Sequence, residues 1–153
     1  MIKISTYKNH AIINASAEAI FNTFLDSIKK DFKPFSEESA VGSKVQKTVG
    51  AYSNKSGQVE IEIKAFERNK VYEIESISPN QRFTSRYELE VIDENTTKLW
   101  VTETVATQGF LGSFNDILVG FVFKKGIKNR FEHMVASLNA QLKEATVKKE
   151  STG

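Results

Sequence analysis

The 153-residue chain contains no cysteine, which excludes a disulfide framework, thiolate nucleophiles and cysteine-based metal sites. Histidine is nearly as scarce. His10 and His133 stand alone, with no His-x-x-x-His or Glu-x-x-His spacing around them, so no metal is expected. No phosphate-cradling Gly-rich loop or nucleophile elbow occurs, and no cofactor is expected. No run of 18 apolar residues exists to span a membrane. The first residues, MIKISTYKNHAIINAS, alternate and lack the apolar core of a signal peptide, so a cytoplasmic location is expected. A nucleic-acid partner is not expected either, because no basic, aromatic-studded sheet face of the required kind is legible.

What remains is ordinary for one globular domain: 40% hydrophobic and 26% charged residues, in a chain long enough for a single core. Eleven phenylalanines against one tryptophan imply large, unreactive aromatic walls. The net charge of +2 conceals an asymmetry. Between Phe121 and Lys149 there are seven basic and two acidic residues, +5, which leaves −3 for the rest. The basic residues gather at Lys124, Lys125, Lys128 and Arg130. Two readings stand: attraction to an anionic ligand or membrane surface, or a solvated helix face favoured by the helix dipole.

The stretch Ser113 to Glu144 reads as one long C-terminal helix. Gly120, Phe123, Ile127, Phe131, Met134, Val135, Leu138 and Leu142 fall within about 60° of one direction at 3.6 residues per turn. From Phe131 onward the pattern is amphipathic. From Phe114 to Phe123 it is apolar nearly all round, and such a helix needs cover from sheet, ligand, partner or lipid.

Ahead of that helix the period is mostly two. Residues 2–14 alternate as a strand, with Ala11 and Ile13 on one face. Ser16 is the expected N-cap of a short helix carrying Ile20, Phe21, Phe24, Leu25 and Ile28 and ending near Lys29-Lys30. Phe32 and Phe35, in the loop around Pro34, plug an end of the core. Strands follow over 42–49, from Val59, over 71–77, 82–91 and 99–105. The separating turns fall at Tyr52–Gly57, at Arg68-Asn69 (a two-residue hairpin), at Ser78–Gln81 and at Asp93–Thr96. Val59, Ile61, Ile63 and Ala65 share a face. Alternation with one face wet implies an antiparallel meander packed on one side, and the C-terminal helix is what is available to pack there. Residues 146–153 read as a frayed tail.

Three stretches carry a resemblance. HAIINASAEAIFNTFLD (10–26) is similar to the pattern I-x-A-x-x-x-x-V/I-F/W of a first strand entering a first helix. YEIES…RFTSRYELEVIDENTTKLWVTE (72–103) is similar to paired late strands, and LNAQLKE (138–144) to a shared helix ending. Together they resemble the START-like (SRPBCC) superfamily, whose members include birch-pollen-allergen-like proteins and polyketide cyclase/dehydrase relatives. The nearest likeness is to a bacterial subfamily of unknown function. The resemblance covers residues 1–145 as a single domain. It implies an α+β helix-grip fold, in which a curved antiparallel sheet of six or seven strands wraps a long C-terminal helix. One or two short helices then follow the first strand. It also implies a cavity between sheet and helix that takes an apolar ligand, and it implies no shared catalytic set.

Strand pairing sharpens the candidates. If Arg68-Asn69 is a two-residue turn, Ala65 lies opposite Tyr72. Pairing Ile77 with Arg82 sets Tyr72 opposite Tyr87, and pairing Val91 with Leu99 sets Tyr87 opposite Glu103. The inner face then carries Tyr72, Phe83, Ser85, Tyr87, Val101 and Glu103, facing Gly120, Phe123, Lys124, Ile127 and Phe131 on the helix. Glu103, in phase with Leu99, Val101 and Val105, is the single catalytic candidate. Either it enters the cavity as an acceptor or a raised-pKa acid, or a bulge or a cation neutralises its effect. Lys124 is the expected cation across the cavity. Tyr72 and Tyr87 serve as core filler or as ligand contacts, and Trp100, out of phase, packs on the outer face. The expected function is binding of a lipid-, polyketide- or isoprenoid-like small molecule. The alternatives are a cyclase or dehydratase using Glu103, and an interaction module using Phe114, Leu118, Phe121 and Val122. Peripheral membrane contact, and monomer against homodimer, stay open.

Overall fold

In the computed structural model the backbone is described for residues 2–49, 57–78, 81–108 and 113–152. Side chains are described for residues 4–46, 59–77, 82–106 and 126–145. The elements in order are β1 (Ile2–Ile13), α1 (Ala17–Asp31), β2 (Lys44–Val49), β3 (Gly57–Glu67), β4 (Val71–Ser78), β5 (Gln81–Asp93), β6 (Thr96–Gln108) and α2 (Ser113–Thr152). The strands form one six-stranded sheet in the order β1-β6-β5-β4-β3-β2, antiparallel throughout. Each strand from β2 to β5 neighbours its successor, as a meander must. Only β1 crosses over, to close against β6.

Period-two alternation sorts the sheet into two faces. Ile13, Ile63, Tyr72, Leu89, Leu99 and Val101 point inward and are buried, while Ile4 and Ile12 stay exposed on the other side. The outer face is covered by charge pairs such as Arg86 with Glu73 and Glu88. Trp100 lies there too, between Lys98 and Lys8 at 4.2 and 4.7 Å from its ring, and its Nε1 donates to Glu90 at 3.0 Å.

Against the inner face pack α1 and α2. The Ser16 hydroxyl accepts from the Ala19 N–H at 3.1 Å, and the Phe32 N–H closes the far end of α1 on the Ile28 carbonyl. Ala17, Ile20, Phe21, Leu25 and Ile28 are buried at helical spacing. Phe21 meets Phe66 edge-on at 5.4 Å, and Phe35 meets the same ring at 5.8 Å. Phe32 and Phe35 therefore close the end of the core as expected. From α2 come Ile127, Phe131 and Leu138, each contributing roughly 1.5–3 kcal/mol on burial.

Three expectations change. Between β3 and β4 the loop holds three residues, because Glu67 pairs with Val71 and Asn69 takes a left-handed φ of 64°. Asparagine tolerates that conformation better than most residues do. Second, that loop sets Phe66, not Ala65, opposite Tyr72, and β3 carries a bulge at Lys64 that shifts the register by one residue from Ile63 onward. One extra residue exchanges the faces beyond it. Third, the α2 backbone stays helical through residues 146–152, where the sequence predicts a frayed tail. Of the turn predicted over Tyr52–Gly57, residues 52–56 lie outside the described residues, as does Pro79-Asn80 in the next one, while Gly57 opens β3.

Candidate functional site

Between α1, α2 and strands β4 and β5 lies a cavity of about 290 Å³. Its floor is the inner face of the sheet, where Tyr72 pairs with Tyr87 in register. The two rings stack at 5.9 Å with 17° between their planes. Phe24 of α1 tilts onto Tyr87 at 5.5 Å. Ile28, Ile74, Met134 and Leu138 complete the apolar walls. The polar lining comes from two helical rows at i, i+4 spacing: Thr23, Ser27 and Asp31 on α1, and Ser137 and Gln141 on α2. Each row runs beside an apolar stripe, so helical geometry brings both to the mouth.

Burial raises both phenols above the ordinary tyrosine value. For Tyr72 the charges of Tyr87 and Asp31 add to that shift. For Tyr87 the Glu103 charge adds to it, while a hydrogen bond with Ser85 and the charge of Arg130 oppose it. Both tyrosines are therefore neutral hydroxyls at neutral pH, able to donate and to accept.

Next to this cavity, on the same face, sits a second polar cluster. Glu103 is 6% exposed and is flanked in register by Ser85 on β5 and Tyr7 on β1. Arg130 of α2 donates from Nη2 to its Oε2 at 2.5 Å. The Arg130 guanidinium also lies 4.7 Å over the Phe83 ring, and its side chain is 59% exposed. Desolvation pushes the Glu103 carboxyl up, and Arg130 pulls it back only in part. Phe83, Glu103 and Arg130 thus cap one stretch of the inner face with an ion pair laid over an aromatic ring.

The structure brings together some of the expected residues and separates others. Tyr72 and Tyr87 line the cavity. Phe83, Ser85, Val101 and Glu103 belong to the neighbouring inner face, with Ile127 and Phe131 buried on α2, and none of these lines the cavity. The side chains of Gly120, Phe123 and Lys124 lie outside the described residues. Two corrections follow from the register. Val91 pairs with Thr97 and Leu89 with Leu99, so Glu103 lies opposite Ser85, and Val101 opposite Tyr87. The β5–β6 turn is tighter than the assumed pairing, which slides the register by two residues and keeps the same faces. Among the described residues Arg130 reaches Glu103; the expected partner, Lys124, has its side chain outside them. Glu103 does not turn to solvent.

Thr23, Ser27, Asp31, Ser137 and Gln141 were missed as lining residues. Their signal was present as polar positions one step off the apolar stripes of α1 and α2. Tyr7 was missed as a neighbour of Glu103, although it falls in phase with Ala11 and Ile13. Among the described residues no group of acidic and histidine side chains could hold a metal, and no helix is long and apolar enough to cross a membrane.

A family profile described as "Domain of unknown function (DUF3284)" matches residues 7–124. No curated protein matches the sequence. Among solved structures the chain is similar to a protein of unknown function from Staphylococcus aureus, at 11% identity and a TM-score of 0.73, covering 95% of this chain and 97% of that one. It is also similar to Ara h 8.0201, at 14% identity and a TM-score of 0.64, covering 93% and 99%. A third likeness is to an aromatase/cyclase from a Streptomyces species, at 16% identity and a TM-score of 0.61, covering 99% of both chains. At these identities the likeness is one of fold, the α+β helix-grip fold of a curved antiparallel sheet packed on a long C-terminal helix.

Proposed function

The chain belongs to the DUF3284 family, whose description assigns no activity, and we propose from its geometry that it binds a small apolar or amphipathic molecule. The observation that carries this reading is the cavity floored by the stacked Tyr72 and Tyr87. Apolar walls with a few convergent polar groups are the usual make-up of a small-molecule site. The volume of about 290 Å³ sits at the lower end of the ~300–1,000 Å³ that ligand pockets span. It favours a body of one or two rings, or a short chain, over a full lipid. Burial of ligand carbon supplies the affinity at roughly 25 cal/mol per Å² before ordering costs.

The cyclase or dehydratase alternative draws support from the aromatase/cyclase neighbour. It requires Glu103 to face the bound molecule, and Glu103 is instead paired with Arg130 beside the cavity. The interaction-module alternative turns on Phe114, Leu118, Phe121 and Val122, whose side chains lie outside the described residues.

Native mass spectrometry of the protein purified from its own host, followed by organic extraction, tests the binding reading. The expected result is one small-molecule adduct that extraction removes. In the Ser137→Phe variant a ring at the cavity mouth displaces that adduct without changing the melting temperature. A bare wild-type mass, together with no uptake of added apolar probes, would sink the proposal.

A further inference from the structure

One polar group of the cavity lining stands apart from the others. Tyr72 is 9% exposed and is the one polar residue of the described lining that is buried. The Thr23 hydroxyl gives its proton to the Ala19 carbonyl at 3.2 Å. The Gln141 amide donates to Ser137 Oγ at 3.2 Å, and the Tyr87 phenol has the Ser85 hydroxyl as its hydrogen-bond partner. Tyr72 is held differently. Its ring stacks on Tyr87, and among the described residues no group shares a hydrogen bond with its hydroxyl.

Nor is that hydroxyl sealed in the core. Asn69 Oδ1 is the single side-chain atom, among the described residues, that is fully enclosed without a hydrogen-bond partner. The Tyr72 oxygen therefore keeps an open side, and the open space next to Tyr72 is the cavity it lines. A phenol is a better donor than acceptor, because its oxygen lone pair is delocalised into the ring. A ligand that displaces water from this O–H must take the hydrogen bond over or leave a buried donor unpaired, which lowers affinity. The walls beside it are Phe24, Ile28, Ile74 and Leu138, where an ionised acceptor would lose much more hydration than a neutral one.

We propose that Tyr72 is the specificity-determining residue of the cavity, and that the ligand carries an uncharged carbonyl oxygen on its apolar body, which accepts the Tyr72 O–H. This rests on the binding reading given above. It divides the stacked pair by role: Tyr87 supplies a ring surface, and Tyr72 supplies a ring surface and reads one oxygen. A hydrocarbon of the same shape fits the walls and leaves the phenol proton unmet.

Two probes of one bicyclic skeleton, 1-indanone with a carbonyl and indane without it, are each titrated by calorimetry at neutral pH. Indane reports on the cavity alone. Tyr72→Phe should weaken indanone about fivefold, the size of one neutral hydrogen bond, and leave indane unchanged. The infrared carbonyl band of protein-bound indanone reads the contact directly. In the wild-type protein it should lie below its position in an aprotic solvent, and in Tyr72→Phe it should move back. The wild-type band is read even if the variant misfolds. An unshifted wild-type band, a shift that survives Tyr72→Phe, or equal losses for indanone and indane overturns the hydrogen-bond proposal and leaves the binding reading standing. Failure of both probes to bind removes both.

Discussion

Two neighbouring clusters on the inner face of the sheet deal with buried polar groups in different ways. Around Glu103 the face is closed: a carboxylate taken out of water is met by Arg130, and Arg130 covers Phe83. Around Tyr72 and Tyr87 the face stays open, with neutral phenols, apolar walls and a cavity above them. The closed cluster commits a charge to a fixed partner, and the open one keeps its two phenols neutral. One stretch of β5, from Phe83 to Tyr87, serves both. Tyr87 feels the Glu103 and Arg130 charges while lining the cavity, so it joins the two. A buried carboxylate on this face therefore does not line the cavity; Arg130 holds it beside the cavity.

The largest effect should come from the apolar wall of the open cluster. Leu138→Ala removes a buried side chain and should cost about 2–4 kcal/mol in urea unfolding. Any loss well below that range would mean that α2 collapses onto the cavity and that the open cluster is not held open by packing.

Next is Arg130→Ala, which leaves Glu103 buried without its partner. The half-exposed position of Arg130 moderates the penalty to about 1–2 kcal/mol at neutral pH. Its pH dependence fixes the cause. The Glu103 carboxyl titrates above its ordinary value, so its contribution to stability is fully present below that ordinary value. The contribution is lost as pH rises through the folded-state value. The deficit of Arg130→Ala should accordingly shrink toward pH 4, and adding Glu103→Gln should recover part of it. A deficit that is flat across pH would assign the loss to packing on Phe83.

The smallest effect at neutral pH belongs to Tyr72→Phe, about 1 kcal/mol or less, yet it should change the alkaline limb. Raised phenol values at Tyr72 and Tyr87 mean that stability is kept below about pH 10. It is then lost as pH climbs through the folded-state values. Melting temperatures followed above pH 10 should fall less steeply in Tyr72→Phe than in the wild type. Parallel curves would show that Tyr72 ionises without resistance.

Much of this arrangement was legible from residue patterns. Alternation placed Tyr72 against Tyr87 and put Glu103 on the inner face, because a slip of two residues, as occurred between β5 and β6, leaves the faces unchanged. Ser16 was legible as a cap because its hydroxyl is the local acceptor the first turn of α1 needs. The bulge at Lys64 was not legible, since no glycine or proline marks it and its cause lies in how β3 meets β4. Arg130 was not legible as a partner of Glu103, because a helical wheel gives an angle about the axis and says nothing of height along the sheet. The cavity's polar lining escaped for a related reason. Thr23, Ser27 and Ser137 look like solvated flanks of two separate helices until α1 and α2 are set side by side over β4 and β5.

The chain has one tryptophan, and it sits on the opposite side of the sheet from the cavity. Trp100 is clamped by Lys8 and Lys98, tilted 4.9 Å from His10 and hydrogen-bonded to Glu90. Its fluorescence is therefore a gauge of strands β1, β5 and β6 remaining zipped together, and a poor gauge of occupancy. Light absorbed by the tyrosines, two of which floor the cavity, is the intrinsic optical signal with a direct view of what enters.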